Sequence, residues 1–216
     1  TDASVGFEQM FHPQTRSQNR QRRIIDAALQ VFSRKGYRDA SVDDIADASA
    51  TSKGGVYFHF PNKEAIFLAL LNRTTARLLE KIESALAAHQ NPVARADAAL
   101  LTVIRTFGKH RALARLFMVE ALGAGREFHR RMAEIHGEFA AVIQRHLDDA
   151  VRQGIIKPID TEVAAQAWFG ALNEVITAWA LSGRPERLED AYDALRPLLM
   201  RSVGAREEPR PSSEKE

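Results

Sequence analysis

The chain has 216 residues, of which 45% are hydrophobic and 27% charged, and a formal net charge of +2 at pH 7. This length is enough for a real hydrophobic core, in one ordinary domain or in a small module joined to a larger one. The absence of cysteine excludes disulfides and thiolate metal sites. No apolar run approaches the roughly 18 residues of a membrane span and no export signal is visible, so we expect a soluble, cytoplasmic protein.

Positive charge is concentrated near the N-terminus. Residues 16–63 contain nine Lys or Arg and five Asp, whereas basic and acidic residues are equally numerous after residue 63. A small basic module that precedes a neutral one is typical of a protein whose first part binds a polyanion. A solvated surface explains the charge equally well, so this interpretation needs a second signal.

Helical periodicity runs through almost the whole chain, and no stretch alternates apolar and polar residues long enough to indicate a strand. Residues 1–17 and 205–216 are polar or Pro-rich without a period, and we expect them to be disordered. The fold class is therefore all-α. The pattern and its boundary residues predict helices over residues 19–36, 41–49, 53–59, 62–88, 92–107, 111–122, 127–152, 161–181 and 186–202.

Residues 41–59 have the spacing of a helix-turn-helix. Ser41 opens the first helix, with Asp44 three residues later as in a capping box. Thr51 or Ser52 can cap the second helix after a four-residue break. In this motif the second helix lies in the DNA major groove, and the first braces it across the backbone.

The second of these helices carries two adjacent glycines, Gly54 and Gly55. Each costs about 1 kcal/mol relative to Ala inside a helix, so stability does not explain them. A backbone without side chains can approach a phosphate or a base edge closely. The glycines therefore favour a helix that faces DNA.

Four ring side chains follow the glycines, at positions 57–60. We predict that Val56, Phe58 and Phe60 alternate toward the small core and that Tyr57 presents its hydroxyl group to a phosphate. For His59 the sequence does not decide between a phosphate contact and a core position.

The motifs "IIDAALQVFSRKGY", "SVDDIADAS" and "SKGGVYFHFPNKEAIF" follow one another without a gap within residues 20–67. They resemble the N-terminal DNA-binding domain of the tetracycline-repressor (TetR) family of bacterial transcription regulators. The resemblance implies a homodimeric all-helical protein, usually a repressor, that binds a pseudo-palindromic double-stranded DNA operator. Residues 18–65 would form the helix-turn-helix domain, and residues 66–204 a larger helical domain for ligand binding and dimerisation.

The matching positions and the chemistry of the side chains together give two sets of DNA contacts. Gly55 departs from the family pattern, in which a side chain, commonly Thr, is usual. Arg16 and Arg20 could reach a minor groove, although a solvated charge run is the simpler interpretation. The base-edge or close-approach set is Thr51, Ser52, Lys53 and Gly55, and the phosphate set is Ser41, Tyr57, His59 and Lys63.

The resemblance assigns the last two helices to a dimer interface, where small residues allow the helices to approach closely. Packing within a single chain is the alternative. The predicted interface residues are Val163, Ala167, Gly170, Ala171, Tyr192, Leu195 and Leu199.

Large apolar side chains of the middle helices can line a pocket or fill a core, and helical spacing does not separate these outcomes. The stretch "RLFMVEALGAGREFHRRM" is similar to the sensor domains of fatty-acid-responsive TetR members, which implies a small apolar effector such as a fatty acyl thioester. Arg111 or Arg115 would meet its acidic head group, unless both are surface residues. The predicted pocket residues are Phe107, Leu113, Leu116, Phe117, Phe128, Met132, Phe139 and Trp168.

The sequence predicts no catalytic, metal or cofactor site. His129, His136 and His146 are spaced by seven and ten residues, which does not reproduce a close pair of metal ligands. No nucleophile elbow, phosphate loop or dinucleotide fingerprint is present. The alternative to a ligand-responsive regulator is a helical small-molecule-binding or scaffolding protein without specific DNA binding.

Overall fold

A computed structural model describes residues 12–119 and 125–205 of the chain. These two ranges contain nine α-helices, one 3₁₀ turn over Leu188–Ala191 and no strand, which confirms the all-α prediction. The α-helices are α1 His12–Asp39, α2 Val42–Ala48, α3 Lys53–His59, α4 Lys63–Ala87, α5 Pro92–Gly108, α6 Arg111–Met118, α7 Arg126–Arg152, α8 Thr161–Ser182 and α9 Tyr192–Ser202.

Local capping sets the starts of the first helices. Ser41 Oγ accepts the Asp44 backbone N–H at 3.1 Å, and the Asp44 carboxylate accepts the Ser41 backbone N–H at 3.0 Å, so the predicted capping box is complete. Ser52 and Asn62 accept a backbone N–H in the same way at the starts of α3 and α4. Gly36 interrupts α1 with a φ of 79°, at the predicted end of the first helix.

Parts of both terminal segments that we expected to be disordered have a defined structure. They are residues 12–17 and Ala205. α1 begins at His12, so residues 12–17 are helical. Ala205 is buried at the other end, whereas residues 1–11 and 206–216 lie outside the described residues.

Two helices of the second half are shorter than predicted. α6 ends at Met118 rather than at residue 122, and residues 120–124 lie outside the described residues. The segment predicted to be helical from residue 186 begins with the 3₁₀ turn before α9 starts at Tyr192.

Three clusters of buried side chains form the core. The N-terminal cluster joins α1–α4 to Leu116 and Phe117 of α6 and to Phe128 and Ile135 of α7. The central cluster packs α4, α5, α8 and α9 together, and the C-terminal cluster lies where α7 and α9 end. α4 contributes to the first two clusters as one 25-residue helix, about 38 Å long. The N-terminal helices are therefore connected rigidly to the rest of the protein.

Candidate DNA-binding face and effector cavity

The turn between α2 and α3 is held by a side chain of α1. Arg23 Nη2 donates to the carbonyl oxygens of Ser49 at 2.6 Å and Ala50 at 3.1 Å. Ala50 lies in the left-handed region with a φ of 46°, which costs a non-glycine residue roughly 1–2 kcal/mol. The guanidinium therefore stabilises a strained tight turn and fixes α3 relative to α1 and α2.

Helix α3 has a buried face and an exposed face. Val56 and Phe60, one turn apart, are buried in the N-terminal cluster. Phe58 is 80% exposed, so the prediction that it points into the core is wrong. Alternation is the period of a strand, whereas residue i+2 of a helix lies about 200° around the axis. Helical geometry puts Phe58 beside Gly54 at the centre of the exposed face, next to Tyr57, and this signal was present in the sequence.

The two glycines of α3 have different surroundings. A Cβ on Gly55 would lie 2.9 Å from Thr51 Cγ2 and 3.1 Å from Ser52 Oγ, which accepts the Gly55 N–H as the N-cap of α3. The missing Cβ at Gly55 therefore leaves room for the side chains of Thr51 and Ser52. A Cβ on Gly54 would meet nothing within 4 Å. Gly54 is thus the glycine whose backbone DNA can approach closely. The sequence analysis had assigned this close approach to Gly55.

Lys53 forms a salt bridge between the two helices of the motif. Its Nζ lies 2.9 Å from the Asp43 carboxylate on α2, and both side chains are exposed. The hydrogen bond to Asp43 raises the pKa of Lys53. An exposed pair of this kind contributes little to stability, so Lys53 is available to DNA at small cost.

Ser41 and Tyr57, two of the residues predicted to contact phosphate, are exposed. Ser41 Oγ also donates to the Asp44 carboxylate at 2.9 Å. His59 is half-buried beside the Phe58 ring, and its Nε2 has no hydrogen-bond partner among the described residues. Arg20 is exposed on α1, and the side chain of Arg16 lies outside the described part of the chain.

Lys63 has an intramolecular role that the sequence analysis missed. Its Nζ donates to the carbonyl oxygens of Tyr37 at 2.8 Å, Arg38 at 3.0 Å and Ala40 at 2.8 Å. It also lies 4.7 Å from the centroid of the Tyr37 ring, and partial burial lowers the pKa of Lys63. All three N–H donors are therefore occupied, and the structure presents Lys63 as a cap on the end of α1 rather than as a free phosphate ligand.

We expect Lys63→Met to lower the free energy of unfolding by about 2 kcal/mol, because three partly buried carbonyl groups lose a charged donor. Urea denaturation of the protein without DNA measures this loss. Lys53→Met is the matched control and should unfold like the original chain, since its ion pair is exposed. Unchanged stability of Lys63→Met together with weaker DNA binding would instead favour the phosphate contact.

An elongated cavity of about 170 Å³ runs between the helices that follow α3. α7 lines it with residues at helical spacing from Met132 to Ala150, a distance of about 27 Å. α4, α5, α8 and α9 supply the other walls. The long axis of the cavity therefore follows α7.

The wall of the cavity is almost entirely apolar. Among the residues that the structure describes, only His136, His146 and Asn173 bring polar side chains to it besides the Trp168 indole. Burial lowers the pKa of both histidines, which favours neutral rings at neutral pH. Space for about ten water molecules, with so few polar partners for them, favours an apolar occupant.

Half of the predicted pocket residues line this cavity: Phe107, Met132, Phe139 and Trp168. The prediction is wrong for the other half, which pack in or against the N-terminal cluster instead: Leu113, Leu116, Phe117 and Phe128. α6 and the first turn of α7 turn these side chains toward α1 and α4. Helical periodicity marks a residue as buried but does not say which helix it meets.

The two arginines considered for the effector head group do not line the cavity. Arg111 Nη2 donates to the Ala180 carbonyl oxygen at 3.2 Å near the end of α8, and its guanidinium lies over the Trp179 ring. Arg115 is exposed on α6. Arg111 therefore ties α6 to α8.

Exposed apolar side chains lie on both α8 and α9. Val163, Leu181 and Leu198 are 59%, 55% and 60% exposed, and Ala167 and Gly170 of α8 lie exposed between the first two of them. On α8 these residues follow one helical stripe, at the spacing of a packing face. The stripe contains three of the seven residues predicted for the dimer interface.

The remaining predicted interface residues face inward. Tyr192, Leu195 and Leu199 are buried in the central cluster of their own chain, and Ala171 packs against it half-buried. They cannot meet a second chain without unpacking that cluster, so these assignments are corrected. Leu198 is an exposed large apolar residue of α9 and was not among the seven predicted interface residues.

No helix in the described ranges is long and apolar enough to cross a bilayer. The paired helices α2 and α3, with the exposed face of α3, define a DNA-binding regulator of the helix-turn-helix class. The model "Bacterial regulatory proteins, tetR family" matches residues 24–70, and "YsiA-like protein, C-terminal region" matches residues 71–202. The chain belongs to the TetR family of transcriptional regulators, as its sequence motifs predicted.

Known relatives are regulators as well. The chain is 26% identical over 185 residues to the fatty acid metabolism regulator protein of Bacillus subtilis, covering 83% of this chain and 93% of the relative. It is 27% identical over 174 residues to the transcriptional regulator SrpR of Pseudomonas putida, covering 74% and 73%. These relatives are transcription factors rather than enzymes.

Solved structures show the same architecture. The fatty acid degradation regulator FadR of Bacillus halodurans superimposes with a TM-score of 0.79 at 25% identity, covering 87% of this chain and 97% of that one. FadR of Bacillus subtilis in complex with stearoyl-CoA gives a TM-score of 0.76 at 23% identity, covering 86% and 98%. The latter likeness concerns the fold alone.

Proposed function

We propose that this protein is a dimeric repressor that binds a pseudo-palindromic operator and is released from it by a long-chain fatty acyl thioester. Residues 18–65 bind DNA, and residues 66–204 bind the effector and form the dimer. The protein acts in the cytoplasm, where a bacterial operator is found.

The observation that carries the effector class is the length and polarity of the cavity. Its apolar stripe along α7 extends for about 27 Å, between side chains that, among the described residues, include only three polar ones besides the indole. The hydrocarbon core of a bilayer, about 30 Å thick, holds two acyl chains end to end, so one long chain needs roughly 15 Å. The lining is therefore long enough for one acyl chain along α7. The similarity to the fatty acid metabolism regulator protein of Bacillus subtilis supports the same class of effector.

The exposed face of α3 supports the proposed DNA contacts. Gly54 exposes its backbone, Thr51, Ser52 and Lys53 surround the start of the helix, and Ser41 caps α2 at the surface. Backbone and hydroxyl groups at such helix starts suit phosphates, and a lysine suits a guanine edge. Phe58 adds an apolar side chain that suits the methyl group of thymine.

The exposed apolar residues of α8 and α9 support the dimer. Val163, Ala167 and Gly170 form an apolar strip along α8 with small residues in it, and Leu198 is exposed on α9. Apolar faces of this kind allow two helices of each chain to pack as four. A two-fold dimer presents two copies of α3 to successive half-sites, which is why a pseudo-palindrome is expected.

The test uses the full chain and a duplex that the protein itself selects from a random library. We expect affinity to fall by about 10³-fold or more between roughly 50 and 200 mM salt, because each dimer neutralises several phosphates. Stearoyl-CoA should release the duplex, whereas coenzyme A alone should not. Failure to select any duplex at low salt would favour the alternative of a protein without specific DNA binding. Release by coenzyme A alone would show that the acyl chain is not the part of the effector that causes release.

A further inference from the structure

The two ends of the cavity differ in their access to solvent. The end nearest the DNA-binding helices is lined by Met132 and Ile135, which also pack with the N-terminal cluster, and His136 follows them on α7. The far end lies beside Ile155, a lining residue that is also exposed to solvent. A charged group is therefore accommodated far more easily at the far end.

Charged side chains gather near that far end. His146 lines the cavity there, within electrostatic reach of Arg95, Arg145, Glu83 and Asp149. A thioester effector thus enters with its charged head group near His146 and its methyl end toward Ile135. Eleven residues of α7 separate the two, about 16 Å along the helix, which is close to the length of one long acyl chain.

Ile135 belongs both to the cavity and to the core of the DNA-binding helices. It lines the cavity and is buried in the N-terminal cluster with Phe117 and Phe128, and Met132 packs against the same cluster. Phe117 and Phe128 in turn contact Phe67 of α4 at centroid distances of 5.8 and 5.3 Å. Ile135 and Phe67 of α4 therefore belong to the same packed cluster, through which a displacement of Ile135 can reach α4.

We propose that Met132 and Ile135 measure the length of the effector, so that an acyl chain releases DNA only when it is long enough to displace them. This inference rests on the proposed effector class. A chain that ends before Ile135 makes the same contacts in both conformations of the protein, and such a ligand shifts no equilibrium however tightly it binds. A longer chain must displace Met132 and Ile135, which pack with the N-terminal cluster. Such a chain therefore binds the released conformation more tightly than the DNA-bound one.

The experiment separates binding from release. Octanoyl-, lauroyl-, palmitoyl- and stearoyl-CoA are titrated against the full chain, with binding read from the fluorescence of Trp168 in the cavity wall and release from the anisotropy of a labelled selected duplex. We expect affinity to rise by up to about 4-fold per added methylene. Release should be a step: saturating lauroyl-CoA leaves the duplex bound, and saturating stearoyl-CoA frees it.

Two outcomes overturn different statements. Release in proportion to occupancy for every chain length overturns the length measurement and leaves the effector class intact. Absence of binding by all four thioesters, with the duplex still selected, overturns the effector class itself.

Two substitutions of the same kind at opposite ends of the cavity sharpen the test. Met132→Phe fills space beside Ile135, so a chain shorter by a few carbons should reach the release step. Met200→Phe fills the far end and should weaken binding of all thioesters without moving the step. An identical shift in both variants would show that the cavity as a whole, rather than its inner end, sets the length dependence.

Discussion

Phe67→Ala is expected to lower the free energy of unfolding by about 4 kcal/mol, the usual cost of removing a fully buried ring. Phe67 is completely buried at the centre of the N-terminal cluster. Its ring lies 5.4 Å from that of Phe32, 4.7 Å from that of Tyr37, 5.8 Å from that of Phe117 and 5.3 Å from that of Phe128. Its loss opens a cavity among four rings from three other helices, α1, α6 and α7. A loss of this size is a large share of the 5–15 kcal/mol that stabilises a typical protein, and urea denaturation measures it.

Phe58→Ala is the matched control, since it removes the same ring from an exposed position. Its unfolding curve should be nearly unchanged, because the ring is 80% exposed and buries little apolar surface. Its affinity for the selected duplex should fall about tenfold, as for the loss of one good apolar base contact. Equal destabilisation by both substitutions would contradict the exposed placement of Phe58, and unchanged affinity would remove it from the DNA contacts.

Gly170→Arg is expected to convert the dimer into a monomer and to weaken operator binding by at least about 10²-fold. In a monomer, binding of one α3 helix to its half-site no longer holds a second α3 helix close to the other half-site. A Cβ on Gly170 would meet nothing within 4 Å of its own chain, so the folded monomer has room for the side chain. Replacing glycine inside a helix should itself stabilise α8 by about 0.5–1 kcal/mol. Sedimentation velocity gives the oligomeric state, and circular dichroism checks that the helices remain.

Gly137→Arg on α7 is the control for Gly170→Arg. Gly137 is likewise an exposed helical glycine with nothing within 4 Å of its Cβ position, but it lies on α7, outside the helices predicted to form the interface. This variant should remain a dimer and bind the duplex normally. A dimeric Gly170→Arg protein would place the interface elsewhere.

Local signals in the sequence predicted the helices and the motif well. The capping box of Ser41 and Asp44, the interruption at Gly36 and the N-cap Asn62 depend on neighbouring residues only, and the structure contains all three. The error at Phe58 had a different origin. A strand period was applied to a helix, so the information was present and was misread.

Other errors could not have been avoided from the sequence. Lys63 meets carbonyl groups more than 20 residues away, and Leu116 and Tyr192 were correctly expected to be apolar contact residues but were assigned to the wrong partner surface. Periodicity indicates which side of a helix is buried. It carries no information about the element that covers that side, because that depends on how distant helices pack.

The sequence by itself determined the class of the protein, the order of its helices and the position of the DNA-binding motif, since caps, glycines and apolar spacing act over a few residues. Only the tertiary structure decided that α6 faces the DNA-binding helices, that the cavity follows α7 and that Ile135 belongs to both the cavity and the N-terminal cluster. These features arise where residues far apart in the chain are brought into contact. Their positions follow from the packing of whole helices rather than from any local preference.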